Sequence, residues 1–166
     1  MTDTDSHSPS YRELSIRTDN RTAAAQIATQ ARRSLAMFTR DLEAPIYDVP
    51  EFLDAARALA LRSRYSRIRI VVIDPTSAIK DGHRLIELAR RLSSYIEVRR
   101  PSEDHAKLAD AFLIGDDIAL LYRPLASRYE GFADLYTPVA ARGRLSSFED
   151  IWGHGEPEPE FRRLGV

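Results

Sequence analysis

Helical and extended spacings of apolar residues alternate along the chain. Ala23, Ala24, Ile27, Ala28 and Ala31 recur every three or four residues, with Asn20 or Thr22 in front as an N-cap. The apolar run at residues 34–39 then predicts a strand that ends at Arg40-Asp41. Pro50 can open a second helix, where its missing N–H costs nothing, and Phe52, Ala55, Ala56 and Leu59 form the buried stripe. Residues 68–73, IRIVVI, are nearly all β-branched and apolar, which predicts a central strand covered on both faces. Pro75 cannot continue its ladder. Leu85, Leu88, Ala89 and Leu92 mark a third helix, and residues 95–99 alternate as a strand. Residues 111–114 and 118–122 flank the turn signal Gly115-Asp116-Asp117 as a hairpin. A loop rich in Arg, Tyr and Gly follows. The last predicted helix runs over residues 138–152, with Leu145, Phe148 and Trp152 on one face and Gly143 weakening it.

This order predicts an α/β fold: a mixed, mostly parallel sheet with a C-terminal β-hairpin and helices on both faces. Residues 1–12 are polar and aperiodic, so a disordered tail is expected there, with one α/β domain over residues 13–166. Beyond Gly153, Phe161 and Leu164 are candidate docking anchors.

Composition narrows the chemistry. The 166 residues contain no cysteine, which excludes disulfides, thiolate catalysis and sulfur-ligated zinc. The four histidines, at 7, 83, 105 and 154, are too scattered to suggest a metal site, and no cofactor-binding signature is present. The stretch MTDTDSHSPSY lacks the basic and apolar regions of a signal peptide, and no apolar run approaches the ~20 residues of a membrane span. A cytoplasmic location is the expectation. The net charge of −1 provides no global field for nucleic acid, yet 22 of the 24 basic residues are Arg, the planar fork suited to phosphates and carboxylates.

The stretch from Leu35 to Trp152 resembles one repeat of the phospholipase D superfamily, through its strand and helix order, IRIVVID, YIEVRR and the terminal hairpin. In active members the first hairpin strand carries His-x-Lys followed after four residues by Asp; the His attacks phosphorus and the Lys holds phosphoryl oxygens. Here ADAFLIGD fits that strand with Asp116 at the Asp position, which leaves Ala109 and Ala111 at the His and Lys positions. The resemblance therefore implies the fold without its nucleophile. The sequence His105-Ala106-Lys107 has the right residue types in the wrong register. The chain also resembles an uncharacterised bacterial family, sometimes joined to acetyltransferase-type domains, through TRDLEAPIYD, GHRLIELARRL, AFLIGDD, YEGFAD and FEDIWGHGEPEPEFRRL.

Three groups of residues can carry chemistry. Arg40, Asp41 and Asp74 follow the C-terminal ends of strands, where ligands of open α/β sheets bind, and His83 precedes a helix. The same residues also read as turn formers, an ion pair and a helix-entry contact. Arg123, Arg128, Tyr129 and Asp134 can clamp a phosphate, or pin the loop and last helix to the sheet. His105 with Lys107 can act as an acid–base pair, or stand as solvated loop residues.

The expected function is a non-catalytic phospholipase-D-like module that binds a protein partner or a small anionic, phosphate-type ligand, with no cofactor and no metal. Two alternatives stay open. One is a divergent phosphodiesterase or phosphatidyl-type transferase acting as a homodimer through His105 and Lys107. The other is a nucleic-acid-binding domain using Arg32, Arg33, Arg40, Arg99 and Arg100.

Overall fold

The computed structural model describes residues 7–162. The chain opens with β1 (Arg12–Leu14) and α1 (Arg17–Gln30), then β2 (Ser34–Thr39), the short α2 (Ala44–Tyr47) and α3 (Pro50–Ala60). Next come β3 (Arg67–Val72), α4 (Thr76–Lys80), α5 (Arg84–Arg91) and β4 (Ile96–Arg100). A 3-10 turn at His105–Lys107 leads to β5 (Ala111–Gly115), β6 (Ala119–Arg123) and β7 (Gly131–Asp134). The long α6 (Pro138–His154), β8 (Glu156–Pro157) and α7 (Pro159–Arg162) complete the described chain.

All eight strands form one sheet in the order β1-β7-β6-β5-β2-β3-β4-β8. The expected mixed sheet is present, but its balance is reversed. Only β2–β3 and β3–β4 pair in parallel, and every other neighbouring pair is antiparallel. β5 returns beside β2 instead of continuing the crossover series, β6 and β7 follow it as a meander, and β1 pairs with the outer side of β7. Strand alternation sorts the side chains into two layers. Leu35, Met37, Ile68, Ile70, Leu113 and Leu121 pack with α1, α3 and α5, whereas Ala36, Phe38, Val71, Phe112 and Leu120 face α6. On α6, Ala141, Phe148 and Ile151 are fully buried, while Leu145 and Trp152 pack at the margin.

The stretch read as a loop contains the strand β7, and the last residue of the expected tail, Arg12, opens β1. Gly131 starts β7 where a Cβ would lie 2.1 Å from the Tyr122 carbonyl oxygen, so only glycine lets β7 approach β6 closely. The expected tail over residues 1–12 is shorter than its composition implies. Tyr11 donates its N–H to the Ser8 carbonyl, Ser10 Oγ donates to Asp134 at 2.7 Å, and Arg12 begins β1 against β7. An edge strand draws its hydrogen bonds from a partner over a hundred residues away, which local composition does not encode. Residues 1–6 and the proposed anchor Leu164 lie outside the described residues; Phe161 is buried in the core. Among the described residues no helix is long and apolar enough to cross a membrane.

Candidate functional site

β2 and β3 run in parallel and end at the same edge of the sheet, and β5, antiparallel to β2, begins there. A cleft of about 420 Å³ opens at that edge. Its walls come from the β2–α2 loop (Arg40, Asp41, Glu43), from Ser77 and His83 near α4 and α5, and from the β6–β7 loop (Arg128, Tyr129). This size suits a small ligand, and the position is the one open α/β sheets use for binding.

The β2–α2 loop is held in a costly conformation. Leu42 and Glu43 both have left-handed backbones, with φ of 66° and 30°. Such non-glycine residues cost of order 1–3 kcal/mol each and persist only where surrounding contacts enforce them. The contacts are specific. The Leu42 side chain is buried, and the Glu43 N–H donates to Asp41 Oδ1 at 3.0 Å. From β3 and the turn beyond it, the Ile73 N–H donates to the Thr39 carbonyl and the Asp74 N–H to the Arg40 carbonyl.

His83 secures the loop from the other side. Its Nδ1 accepts the Leu85 N–H at 3.1 Å, capping α5, so the ring proton sits on Nε2 and is donated to the Leu42 carbonyl at 2.9 Å. The Nδ1 bond requires the neutral ring, whereas Nε2 can donate to Leu42 in either protonation state. Burial lowers the His83 pKa, outweighing the opposing hydrogen bond to Leu42.

Beneath the cleft lies an ion pair. Arg123 is only 1% exposed, and its Nη2 donates to Glu43 Oε1 and to the Ala126 carbonyl. Its guanidinium stands over the Tyr129 ring, 5.9 Å from the centroid. The Nε and Nη1 groups of Arg123 are buried without any hydrogen-bond partner. The other carboxylate oxygen of Glu43 accepts from Thr39 Oγ1 at 3.3 Å. Burial raises the Glu43 pKa, against the opposing pull of Arg123.

The fold thus brings Arg40, Asp41 and His83 together with Arg128 and Tyr129, which belong to a different group in the sequence, and sets Arg123 directly behind them. Arg40 and Arg128 are exposed, and among the described residues neither guanidinium has an ion-pair or hydrogen-bond partner. The other candidates lie elsewhere. Asp74 is exposed outside the cleft and accepts the Thr76 N–H; hydrogen bonding from the Thr76 side chain, then from its backbone, holds the Asp74 pKa down. Asp134 is buried and ties Ser10 to the Tyr136 N–H. His105 is wedged between Ser102 Oγ at Nδ1 and Asp150 Oδ2 at Nε2, and Lys107 points into solvent on the same 3-10 turn. The Arg set read for nucleic acid is dispersed. Arg32 and Arg33 precede β2 at the end opposite Arg40, Arg99 pairs with Glu97 and covers Trp152, and Arg100 faces Glu156 and Glu158.

Glu43 escaped the sequence reading. Its signal was the buried Arg at the end of β6, which demands an acid, but the acid stands 80 residues earlier. Asp116 closes the hairpin and accepts the N–H groups of Arg32, Arg33 and Ser34 at 2.7–3.0 Å. At the other end Ala111 opens β5 and pairs with Arg123, and just before it the Ala109 carbonyl accepts the N–H of Ala126, which lines the cleft. Among the described residues no cluster of His, Asp or Glu can hold a metal ion.

A family model described as a domain of unknown function (DUF7931) matches residues 17–164. No curated protein matches the sequence. In fold the chain is similar to Nuc from Salmonella typhimurium, a phospholipase D family member (TM-score 0.64, 16% identity, covering 91% of this chain and 99% of that one). It is likewise similar to NucT from Helicobacter pylori (TM-score 0.62, 11% identity, 89% and 99%). TrmBL2, an archaeal chromatin protein with a novel mode of DNA binding, also matches (TM-score 0.65, 11% identity, 93% of this chain but 57% of that one). At these identities the likeness is one of fold, and the fold is that of phospholipase D family members.

Proposed function

The chain belongs to this DUF7931 family, and on that premise we propose that it is a non-catalytic phospholipase-D-like module that binds a small phosphate-type anion in the cleft at the ends of β2 and β3. The observation that carries this reading is the pairing of two facts at one sheet edge. Ala109 and Ala111 stand where the resemblance expects a nucleophile and a phosphate-binding lysine, while the unpaired Arg40 and Arg128 line the adjacent cleft. Alanine can neither attack phosphorus nor neutralise phosphate charge. Two guanidiniums can bind an anion in bidentate fashion without transforming it. The strained loop supports a binding role for this edge, because left-handed non-glycine residues cluster at functional sites.

The alternative of a homodimeric phosphodiesterase working through His105 and Lys107 has less support. Both nitrogens of His105 are engaged, by Ser102 and Asp150, and Lys107 lies outside the cleft. The test is a thermal-shift series with inorganic phosphate, pyrophosphate and nucleoside monophosphates. A ligand at ~100 times its Kd stabilises the native state by about 2.7 kcal/mol, or roughly 5–10 °C for a domain of this size. Arg40→Ala and Arg128→Ala should each remove most of that shift. Phosphodiester turnover that disappears in His105→Ala would refute the non-catalytic reading.

A further inference from the structure

The Arg123–Glu43 pair has features that a purely structural ion pair does not need. A buried guanidinium with five N–H donors is satisfied when a carboxylate takes a fork of two of them. Here Glu43 and the Ala126 carbonyl share the single nitrogen Nη2, and the buried Nε and Nη1 donors have no partner among the described residues. The acid that supplies the pairing comes from the cleft wall and not from the sheet, and its own backbone is left-handed together with that of Leu42. Glu43 therefore neutralises Arg123 from the ligand side, on a loop already displaced from its relaxed conformation.

We infer that Glu43 is an internal competitor for the cleft's anion, occupying Arg123 until a ligand's phosphate-type group replaces it. This inference rests on the proposed anion-binding cleft and identifies what regulates that cleft. The physical argument concerns charge. Arg123 cannot lose its proton and cannot remain buried alone, so some anion must always accompany it. When Arg40 and Arg128 hold an incoming anion over the same wall, two negative groups compete for one buried cation. The weaker competitor is the one attached to a strained loop. Glu43 faces Arg123 from β6, Thr39 from β2, Asp41 in its own loop and Tyr47 from α2. Asp41 and any bound anion repel its carboxylate, and among the described residues only Arg123 and the Thr39 hydroxyl hydrogen-bond to that group. Released, Leu42 and Glu43 can return to right-handed geometry, and all the guanidinium donors become available to a ligand that carries several oxygens. Burial raises the Glu43 pKa against the pull of Arg123, so the carboxylate is poorly solvated in place.

The test is calorimetric titration of pyrophosphate into wild type, Glu43→Gln and Thr39→Val. Gln keeps a hydrogen-bond acceptor for Arg123 and removes the competing charge. Thr39→Val keeps the shape at a buried position and removes the second hold on the carboxylate. The competitor loses its charge in Glu43→Gln and one hydrogen bond to its charged group in Thr39→Val, so affinity should rise about tenfold in Glu43→Gln and by a smaller factor in Thr39→Val. Should Glu43→Gln fail to fold, Thr39→Val carries the same expectation. Unchanged or weaker binding in the variants, with clear binding to wild type, would overturn the competitor role and leave the cleft reading intact. If no protein binds pyrophosphate, including Glu43→Gln, the cleft reading and this inference both fall. Binding visible only in Glu43→Gln would support the inference strongly.

Discussion

The two halves of the Arg123–Glu43 pair should differ in what their loss costs. In Glu43→Ala the guanidinium stays charged at every accessible pH, buried to 1% exposure, with the Ala126 carbonyl as its one remaining hydrogen-bond partner. Breaking a buried pair so that a charge is stranded costs about 3–5 kcal/mol. In Arg123→Met the carboxyl group can escape by taking a proton, a change already favoured because burial raises its pKa. What remains is a neutral polar group with the Thr39 hydroxyl beside it, at a cost of about 1–3 kcal/mol. Urea unfolding at pH 7, followed by circular dichroism, separates the two. With a slope of about 2 kcal/mol per molar, Glu43→Ala should lower the midpoint by roughly 1.5–2.5 M and Arg123→Met by roughly 0.5–1.5 M. The Arg123→Met deficit should also grow from pH 5 to pH 8, because its folded state must then hold a buried carboxylate. Equal shifts, or a larger loss in Arg123→Met, would refute the desolvated pair as described here.

Two further outcomes follow from the site's supports. The folded His83 pKa lies below its unfolded value near 6.5, so the unfolded chain binds more protons between the two values. Its contribution is full above about pH 6.5 and declines as pH falls through the folded value, because protonation of Nδ1 ends the cap on Leu85. His83→Asn keeps a capping acceptor without a titrating ring, and thermal melts from pH 5 to 8 should show a shallower acid decline than wild type; identical profiles would exclude His83 as the cause. Asp116→Ala removes the carboxylate that accepts three N–H groups and leaves a residue with a Cβ but no side-chain hydrogen bond at φ 55°, so it should cost about 2–4 kcal/mol in urea unfolding. A loss below about 1 kcal/mol would show that the hairpin turn does not depend on this carboxylate.

Most of the element order was legible in the residues. The IRIVVI run, the stripe of Phe52, Ala56 and Leu59, and the Leu85 and Ala89 face each have a period that burial requires, and each lies where the structure places it. The hairpin was legible because Gly115-Asp116-Asp117 contains two residues that tolerate left-handed backbone, and Asp116 and Asp117 adopt it. These signals act over a few residues and so survive in one dimension.

Only tertiary structure decided the rest. Hydrogen-bonding partners across a sheet are set by backbone groups that every residue carries, so nothing in ADAFLIGD announces that β5 lies antiparallel to β2, and the predicted parallel majority was wrong for that reason. The edge strand β1, hidden in polar sequence, is stabilised by β7 in the same way. The candidate site shows this most clearly. Arg40 and Arg128 meet in one cleft, and Glu43 meets Arg123 beneath it, because the sheet folds β6 back toward the end of β2. Charge partners that far apart in the chain find each other through the geometry of the packed sheet, since Coulomb attraction in a buried setting depends on ångström separations and not on sequence spacing. Residue types and local periods therefore determined which chemistry was possible, and the return path of the antiparallel strands determined where it is assembled.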